Sequence, residues 1–202
     1  MPRDYSDAPP PRDFEPIPSN TVATLRLHIQ GGGAGEDGIL KRSKDGRCEM
    51  LALEFVLADG EFARRKLWEN WIVEGVDHAK AIEISHSRIK AILDSGLGLD
   101  PRDVSPRART ARTKSYKELE GLTFIGKIGI EKGAPKNDGS GENWPDKNIL
   151  AAIVTPDRRE WHPIVQPPPF NGGGPTAPGS TAPSGGVPPT STSPISRPGW
   201  AS

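Results

Sequence analysis

The stretch G-E-F-A-R-R-K-L-W-E-N-W-I-V, residues 60–73, mixes aromatic and basic residues and decides how the rest of the chain is interpreted. It predicts one long strand, whose successive side chains point to opposite faces. One face can bury Leu67, Trp71 and Val73. The other face combines rings with cations and carries Phe62, Arg64, Lys66, Trp68 and Asn70. Such a face suits single-stranded nucleic acid, which needs cations for phosphates and rings for bases. The same pattern also fits core tryptophans beside a solvated basic edge.

The composition predicts one folded domain with disordered flanks. Of 202 residues, 34% are hydrophobic, and glycine (23) and proline (22) are abundant. So much of both without a repeat is typical of disordered segments. We therefore expect a disordered Pro-rich arm over residues 1–20, a domain over residues 21–165 and a disordered tail over residues 166–202. The formal net charge is zero, so any nucleic-acid site must be a local patch.

Several classes of protein and site do not fit the sequence. The single cysteine, Cys48, excludes an internal disulfide and a zinc site made of cysteines. No apolar run approaches membrane-spanning length, and the charged, Pro-rich N-terminus is not a signal peptide, so we expect a cytoplasmic protein with no membrane partner. The histidines lack paired ligand spacing and the acids form no catalytic pattern. We expect no enzymatic activity, no metal and no cofactor.

Alternation predicts two strands before the 60–73 stretch. Thr21–Gln30 and Cys48–Leu57 each place an apolar residue at every second position. The loop between them is rich in glycine, but it matches neither the phosphate-binding loop nor the opening of a dinucleotide-binding helix. Ala58-Asp59-Gly60 predicts a tight hairpin turn, so the second and third strands should pair antiparallel.

One helix and two more strands are predicted after residue 73. The helix covers residues 78–94, with Asp77 as its N-cap and Ser95-Gly96 at its end. The fourth strand lies within residues 119–132, where Gly126 and Gly129 indicate a bend, a bulge or a close backbone approach. The fifth covers residues 147–155. The intervening residues 99–117 are predicted to form a loop.

The order strand, strand, strand, helix, strand, strand is that of the OB-fold. We therefore predict a mainly β protein built on a five-stranded OB-fold barrel, with its helix between strands three and four. The oligonucleotide face of this fold centres on strands two and three. The loops between strands one and two and between strands four and five flank that face.

The predicted DNA-binding residues lie on or near that face. Strand three supplies Phe62, Arg64, Arg65, Lys66 and Trp68. Strand one and the loop after it supply Arg26, Lys41 and Arg42, followed by Lys44 and Arg47. The fourth strand and the last loop supply Lys127 and Trp144, with Lys136 nearby. The 99–117 loop holds six basic residues and one acid from position 102 on, and it supplies Arg107, Arg109 and Arg112 as a phosphate clamp.

Four short pieces of the chain resemble a known family. G-E-F-A-R-R-K-L-W-E-N, then A-x-x-I-x-x-x-R-I-K-A-I-L, K-E-L-E-G-L-T-F and K-N-I-L are similar to a family of bacteriophage and prophage single-stranded DNA-binding proteins of OB type. The resemblance covers about residues 21–154 and matches Phe62, Arg65, Lys66, Trp68 and Asn70 to strand-three positions. Arg64 stands where the family usually has glycine, Asn148 is one residue short of the family's spacing, and the tail lacks an acidic end.

The resemblance implies non-specific coating of single-stranded DNA during phage replication or recombination, in a bacterial or phage-infected cell. Two alternatives remain open. The barrel and its Pro-rich flanks could recruit replication or recombination proteins as an interaction module, or the same face could bind single-stranded RNA. The sequence leaves a homo-oligomer open as well.

Overall fold

The computed structural model describes residues 15–137 and 141–166, so most of the expected arm and tail lies outside the described residues. Its strands β1 to β6 span Thr21–Gln30, Lys41–Arg42, Cys48–Leu57, Lys66–Gly75, Thr123–Glu131 and Lys147–Val154. Its helices α1 and α2 span Ala79–Leu97 and Pro106–Arg112, and a 3-10 turn spans Tyr116–Leu119.

The strands form one antiparallel sheet in which β3 has partners along both edges. β4 pairs with one edge, and β1 and β2 share the other, where Gln30 faces Ala52 and Lys41 faces Met50. β1 pairs in turn with β5, and β5 with β6. The five long strands therefore lie in the order β4-β3-β1-β5-β6. The mainly β class and the antiparallel pairing of β3 with β4 are confirmed.

No ladder joins β4 to β6 in the described part of the chain, so backbone hydrogen bonds do not close the sheet. Side chains link the two strands instead. Glu69 of β4 accepts a hydrogen bond from the Leu150 backbone N of β6 at 2.7 Å and others from Trp71 Nε1 and Arg88 Nη1. Arg88 of α1 also donates to the Leu150 carbonyl at 3.0 Å. We call this link, made by Glu69, Arg88 and Leu150, the β4–β6 bridge.

The core lies on one face of the sheet, where alternate residues of the strands are buried against α1. Phe55 is fully buried, with its ring centre 5.8 Å from that of Trp71 and 5.6 Å from that of Phe124. The buried positions predicted for β1 and β3 are confirmed at Leu25, Leu27, Leu51, Leu53, Phe55 and Leu57. A bulge between Lys127 and Ile128 confirms the irregularity expected in the fourth predicted strand.

The third predicted strand begins at Lys66, not at residue 60. The connection over residues 58–65 is longer than the expected Asp-Gly turn, and it closes through Arg64 N to the Leu57 carbonyl at 2.8 Å. Arg64 itself has a left-handed backbone, with φ 69°. Phe62 and Arg64 therefore do not continue the alternation of the strand. From Lys66 onward the predicted faces are confirmed, with Trp68 exposed and Trp71 buried.

Both ends of α1 differ from the prediction. His78 is the N-cap residue, because Asp77 has φ 65° and its carboxylate pairs with Arg47 at 2.8 Å. The helix continues to Leu97, and Gly98 takes the left-handed position that ends it. Gly96 lies within the helix, where a Cβ would come 2.6 Å from the Thr123 carbonyl. Its glycine therefore permits close packing on β5 and does not end the helix.

Residues 99–117 are not the loop that their composition predicted. Pro106 starts α2, and the Ser105 side chain accepts a hydrogen bond from Ala108 N at its N-terminus. Arg112, on the last turn of α2, donates to Asp94 Oδ1 at 2.6 Å. This segment is consequently packed against α1.

The folded domain extends past its predicted N-terminal boundary. Ile17 is fully buried, and the Asn148 side chain pairs with its backbone N and O at 2.8 Å each. At the other end, the Gln166 amide bonds to the backbone N and O of Thr123. Residues 15–20 and Gln166 therefore belong to the fold.

Candidate nucleic-acid interface

The solvent side of β1, β3 and β4 carries side chains in cross-strand rows. We call it the outer face. Its rows are Arg26-Val56-Lys66, His28-Glu54-Trp68, Gln30-Ala52-Asn70 and, at β2, Lys41-Met50-Ile72. The strand pairing thus brings Arg26, Lys41, Lys66 and Trp68, which the sequence predicted as site residues, onto a single surface.

Trp68 is the most prominent group of the outer face. It is the third residue of β4, and it is 64% exposed. Its indole Nε1 donates a hydrogen bond to Glu54 Oε2 at 3.1 Å. The ring is therefore held at its polar edge while most of its surface remains free, a geometry that suits stacking of a planar ligand.

Glu54 is a buried acid at the centre of this face. The Lys66 ammonium lies 2.9 Å from its Oε1, and the residue is only 9% exposed. Hydrogen bonding from Lys66 holds the pKa of Glu54 below its ordinary value, and the Trp68 indole adds to that shift. Glu54 therefore stays ionised, fixes Trp68 and offsets the charge of Lys66.

The remaining surface between these polar groups is partly apolar. Met50, Ala52, Val56 and Ile72 are all half-buried and belong to the same rows. Bases that stack on Trp68 would meet this platform and not a densely charged sheet.

The basic residues around β2 divide into paired and unpaired groups. Arg42 binds Glu49 at 2.7 Å, and Arg47 binds Asp77. Lys41 and Lys44 are exposed and have no hydrogen-bonding or ionic partner within the described residues. Of these four basic residues, Lys41 belongs to a row of the outer face, with Met50 and Ile72.

The 58–65 connection separates three residues that the sequence placed together. Phe62 is half-buried against the core, and the Arg65 guanidinium lies 5.9 Å from its ring centre. Arg65 also donates to the Glu15 carbonyl at 2.7 Å, which ties the N-terminal segment to the turn. The Arg64 side chain is exposed and forms no hydrogen bond or ion pair in residues 15–137 and 141–166.

A groove beside Trp68 lies between β4 and the loop end of the β5–β6 hairpin. Asn70, Glu131, Lys147 and Ile149 line it together with the β4–β6 bridge. Trp144, three residues before Lys147, is 61% exposed, and the Lys136 ammonium lies 5.8 Å from its ring centre.

Other predicted cations have structural partners. Lys127 lies 3.5 Å from Glu160, and Lys136 lies 2.6 Å from Glu142. Arg112 is mostly buried and uses its guanidinium on Asp94 and on the carbonyls of Asp100 and Asp103. We therefore assign Arg112 a packing role. Arg107 and Arg109 are exposed on α2, whose described contacts are with α1 and the preceding loop.

Sequence reasoning overlooked the acids of the outer face. Glu54 is buried beside Lys66. Glu120 accepts a hydrogen bond from Ile29 N at 2.6 Å, and its other carboxylate oxygen lies 2.7 Å from His28 Nδ1. The alternation of Cys48–Leu57 already placed Glu54 opposite the core residues and could have indicated its position. Glu120 follows the 3-10 turn, so only the fold brings it to His28.

The described residues contain no cluster of three or more histidine, cysteine or acidic side chains that could hold a metal ion. Among the helices in that part of the chain, none has the length and apolarity needed to cross a membrane. No family model matches the sequence, and searches of curated proteins and of solved structures found no match.

Proposed function

We propose that the protein binds single-stranded DNA, without sequence specificity, on the outer face. The observation that carries the proposal is Trp68, an indole that is 64% exposed and yet anchored through its Nε1 to a buried carboxylate. Because the hydrogen bond already fixes the ring, less side-chain freedom is lost when a base stacks on it. Base stacking of this kind contributes roughly 1–3 kcal/mol per base.

The fold part of the proposal is an OB-type barrel. Its support is the strand order β4-β3-β1-β5-β6, the position of α1 between β4 and β5, and the β4–β6 bridge across the remaining gap. In the OB-fold, the sheet surface around the second and third strands binds oligonucleotides. In this chain those strands are β3 and β4, which carry Glu54, Lys66 and Trp68.

The resemblance to phage single-stranded DNA-binding proteins supplies the biological part. Arg64 occupies the position where that family usually has glycine, and its left-handed φ of 69° is the conformation that glycine adopts without strain. The proposed role is accordingly to coat DNA during phage replication or recombination.

The test is a titration of the protein with oligo-dT at low salt, followed by tryptophan fluorescence and by anisotropy of a labelled strand. Trp68→Ala should weaken binding about tenfold, equivalent to about 1.4 kcal/mol and within the lower half of the stacking range, with the thermal unfolding midpoint nearly unchanged. Trp144→Ala, matched in exposure, measures whether the hairpin loop takes part. Ile84→Ala, an exposed apolar truncation on α1, should have no effect. Absence of oligo-dT binding by the unmodified protein would refute the function.

A second candidate is a peptide-binding module, favoured by the edges of β4 and β6 beside the groove, which no ladder joins within the described residues. An extended peptide could add to such an edge through backbone hydrogen bonds. Capture of a protein partner by the full chain, with no fluorescence change on adding DNA, would support this candidate. Competition between oligo-dT and oligo-U would separate DNA binding from RNA binding.

A further inference from the structure

Arg26 is a half-buried cation whose side chain has no partner in the part of the chain that the structure describes. It lies on β1 in the row with Val56 and Lys66, and its Nε is buried without a hydrogen bond in the described residues. No ion pair or hydrogen bond of its other guanidinium nitrogens occurs there either. A buried donor of this kind is costly unless something completes its hydrogen bonds.

The nearby acids do not neutralise it. Glu120, beside Gly121, already uses both carboxylate oxygens, one on His28 and one on the Ile29 backbone N. Gly121 packs near the guanidinium, where a Cβ would lie 3.8 Å from Nη2. Asp59, in the turn after β3, lines the same cleft as Arg26 but forms no ion pair with it within 4.0 Å. The guanidinium therefore has no ionic partner in the described residues.

Arg26 also lines a cleft that is open to solvent. The 58–59 turn and the C-terminal segment 162–165 form its walls, and Thr24, Thr123 and His162 contribute polar groups. Its charged or titratable lining groups are Arg26, His162 and Asp59. The cleft measures about 350 Å³, which is large enough for a phosphoryl group and part of a sugar.

From the unpartnered guanidinium and the cleft around it, we propose that Arg26, with Thr24 and His162, forms a phosphate subsite. The forked N–H donors of an arginine match two oxygens of a phosphoryl group. The subsite deepens the proposed function and rests on it where the phosphate belongs to DNA. Arg26 and Lys66 lie two strands apart in one row, about 10 Å from each other. A strand stacked on Trp68 can thus reach the cleft.

The first test uses inorganic phosphate, so it does not depend on DNA binding. At matched ionic strength, phosphate at ten times its dissociation constant should raise the thermal unfolding midpoint by about 3 °C relative to chloride. It should also shift the Arg26 Nε–H signal in a proton–nitrogen NMR spectrum. Arg26→Gln should abolish the midpoint rise, while Lys80→Gln, an equal charge change on α1, should preserve it. Equal midpoints in phosphate and chloride, together with an unmoved Nε–H signal, would overturn the subsite.

The second test distinguishes the two sources of phosphate. If a backbone phosphodiester occupies the cleft, Arg26→Gln should weaken the binding of oligo-dT about tenfold, equally with and without a 5′-phosphate. The slope of log K against log salt should become shallower by about 0.7. If a terminal phosphate occupies it, only the phosphorylated strand should lose affinity. Arg26→Lys should recover part of the loss. A phosphate effect without any oligo-dT binding would refute the proposed function and keep the subsite, whereas unchanged DNA affinity without a phosphate effect would refute the subsite alone.

Discussion

At the scale of single residues, the outer face depends on the pairing of an exposed indole with a buried acid. Glu54 holds Trp68 through the indole Nε1 and at the same time binds Lys66 at 2.9 Å. An acid at the centre of the proposed DNA-binding surface repels phosphates. Its presence is explained if fixing the orientation of the Trp68 ring favours binding by more free energy than the repulsion costs.

This balance leads to a prediction for Glu54→Gln. The amide oxygen can still accept the indole hydrogen bond, while the negative charge is lost and Lys66 becomes available to a phosphate. Oligo-dT affinity should rise about threefold to tenfold, and the salt slope should steepen by about 0.7, as for one additional phosphate contact. Anisotropy titrations at several salt concentrations measure both quantities. Glu83→Gln on α1 is the control of equal charge change.

The acid dependence of the same residue has a defined sign. Because Lys66 lowers the pKa of Glu54, the carboxylate stabilises the fold above the ordinary glutamate pKa, and this contribution is lost as the pH falls through the lowered value. The emission of Trp68 should change in that acidic range and remain constant in Glu54→Gln. In the oligo-dT titrations, weaker binding by Glu54→Gln than by the unmodified protein would show that Glu54 supports binding through its charge.

The left-handed backbone of Arg64 yields a second prediction at this scale. A non-glycine residue in this conformation costs about 1–2 kcal/mol, and glycine's greater freedom in the unfolded chain offsets part of the gain. Arg64→Gly should therefore be about 0.5 kcal/mol more stable than the unmodified protein in urea denaturation. Arg64→Ala, which keeps a Cβ at φ 69°, should show no such gain.

The two variants remove the same charge, so they should lose DNA affinity equally. Arg64→Ala as stable as Arg64→Gly would show that the backbone is unstrained at this position. A larger affinity loss in only one of them would show that the shape of the turn, and not the charge, contributes to binding.

At the scale of elements, the β4–β6 bridge links two strands between which the described residues form no backbone ladder. Glu69 satisfies the Leu150 N and the Trp71 indole, while Arg88 covers the Leu150 carbonyl and lies 5.1 Å from the Trp71 ring centre. These side chains thereby link two strand edges that no ladder joins in the described region. The bridge also forms one wall of the groove next to Trp68.

Glu69→Ala should consequently destabilise the fold. It leaves two donors without acceptors and Arg88 without its carboxylate, so a loss of about 3 kcal/mol is expected from unsatisfied buried groups. Urea denaturation measures the loss, and the Leu150 amide should exchange with solvent much faster. Glu83→Ala, on the exposed side of α1, should change stability by less than about 0.5 kcal/mol. A loss below about 1 kcal/mol for Glu69→Ala would mean that the bridge contributes little to the stability of the fold.

At the scale of the whole molecule, periodic patterns predicted the sheet well. β1, β3 and β6 lie at their expected positions because alternation of apolar residues reports directly on a half-buried strand. The start of β4 was missed because the sequence before Lys66 continues the alternation, although the backbone turns at Arg64. α2 was missed because its seven residues, three of them arginines, show no apolar periodicity, although Ser105 and Pro106 form a local helix-start signal. The Arg112–Asp94 contact that joins it to α1 is not encoded locally.

The candidate site was predicted in its aromatic part and less well in its charges. Trp68 and Lys66 could be placed on one face by counting residues along β4. Whether a cation is free or paired depends on which acid the fold brings near it. Arg112 pairs with Asp94, eighteen positions away, and Lys127 with Glu160, thirty-three positions away, so the sequence alone overstated the positive charge available to a ligand.

That distribution of charge sets the expected salt dependence of binding. In the described residues, the cationic side chains of Arg26, Lys41 and Arg64, which lie on or beside the outer face, form neither an ion pair nor a hydrogen bond. Each phosphate contact with a single strand contributes about −0.7 to the slope of log K against log salt, so the slope should be about −2. A slope steeper than about −4 would show that internal pairs such as Arg42–Glu49 and Lys66–Glu54 open to bind phosphates. A slope near zero would show that stacking on Trp68 acts alone. Oligo-dT titrations from 20 to 300 mM salt, a range of about one decade that spans the Debye lengths from about 20 to 6 Å, decide among these outcomes.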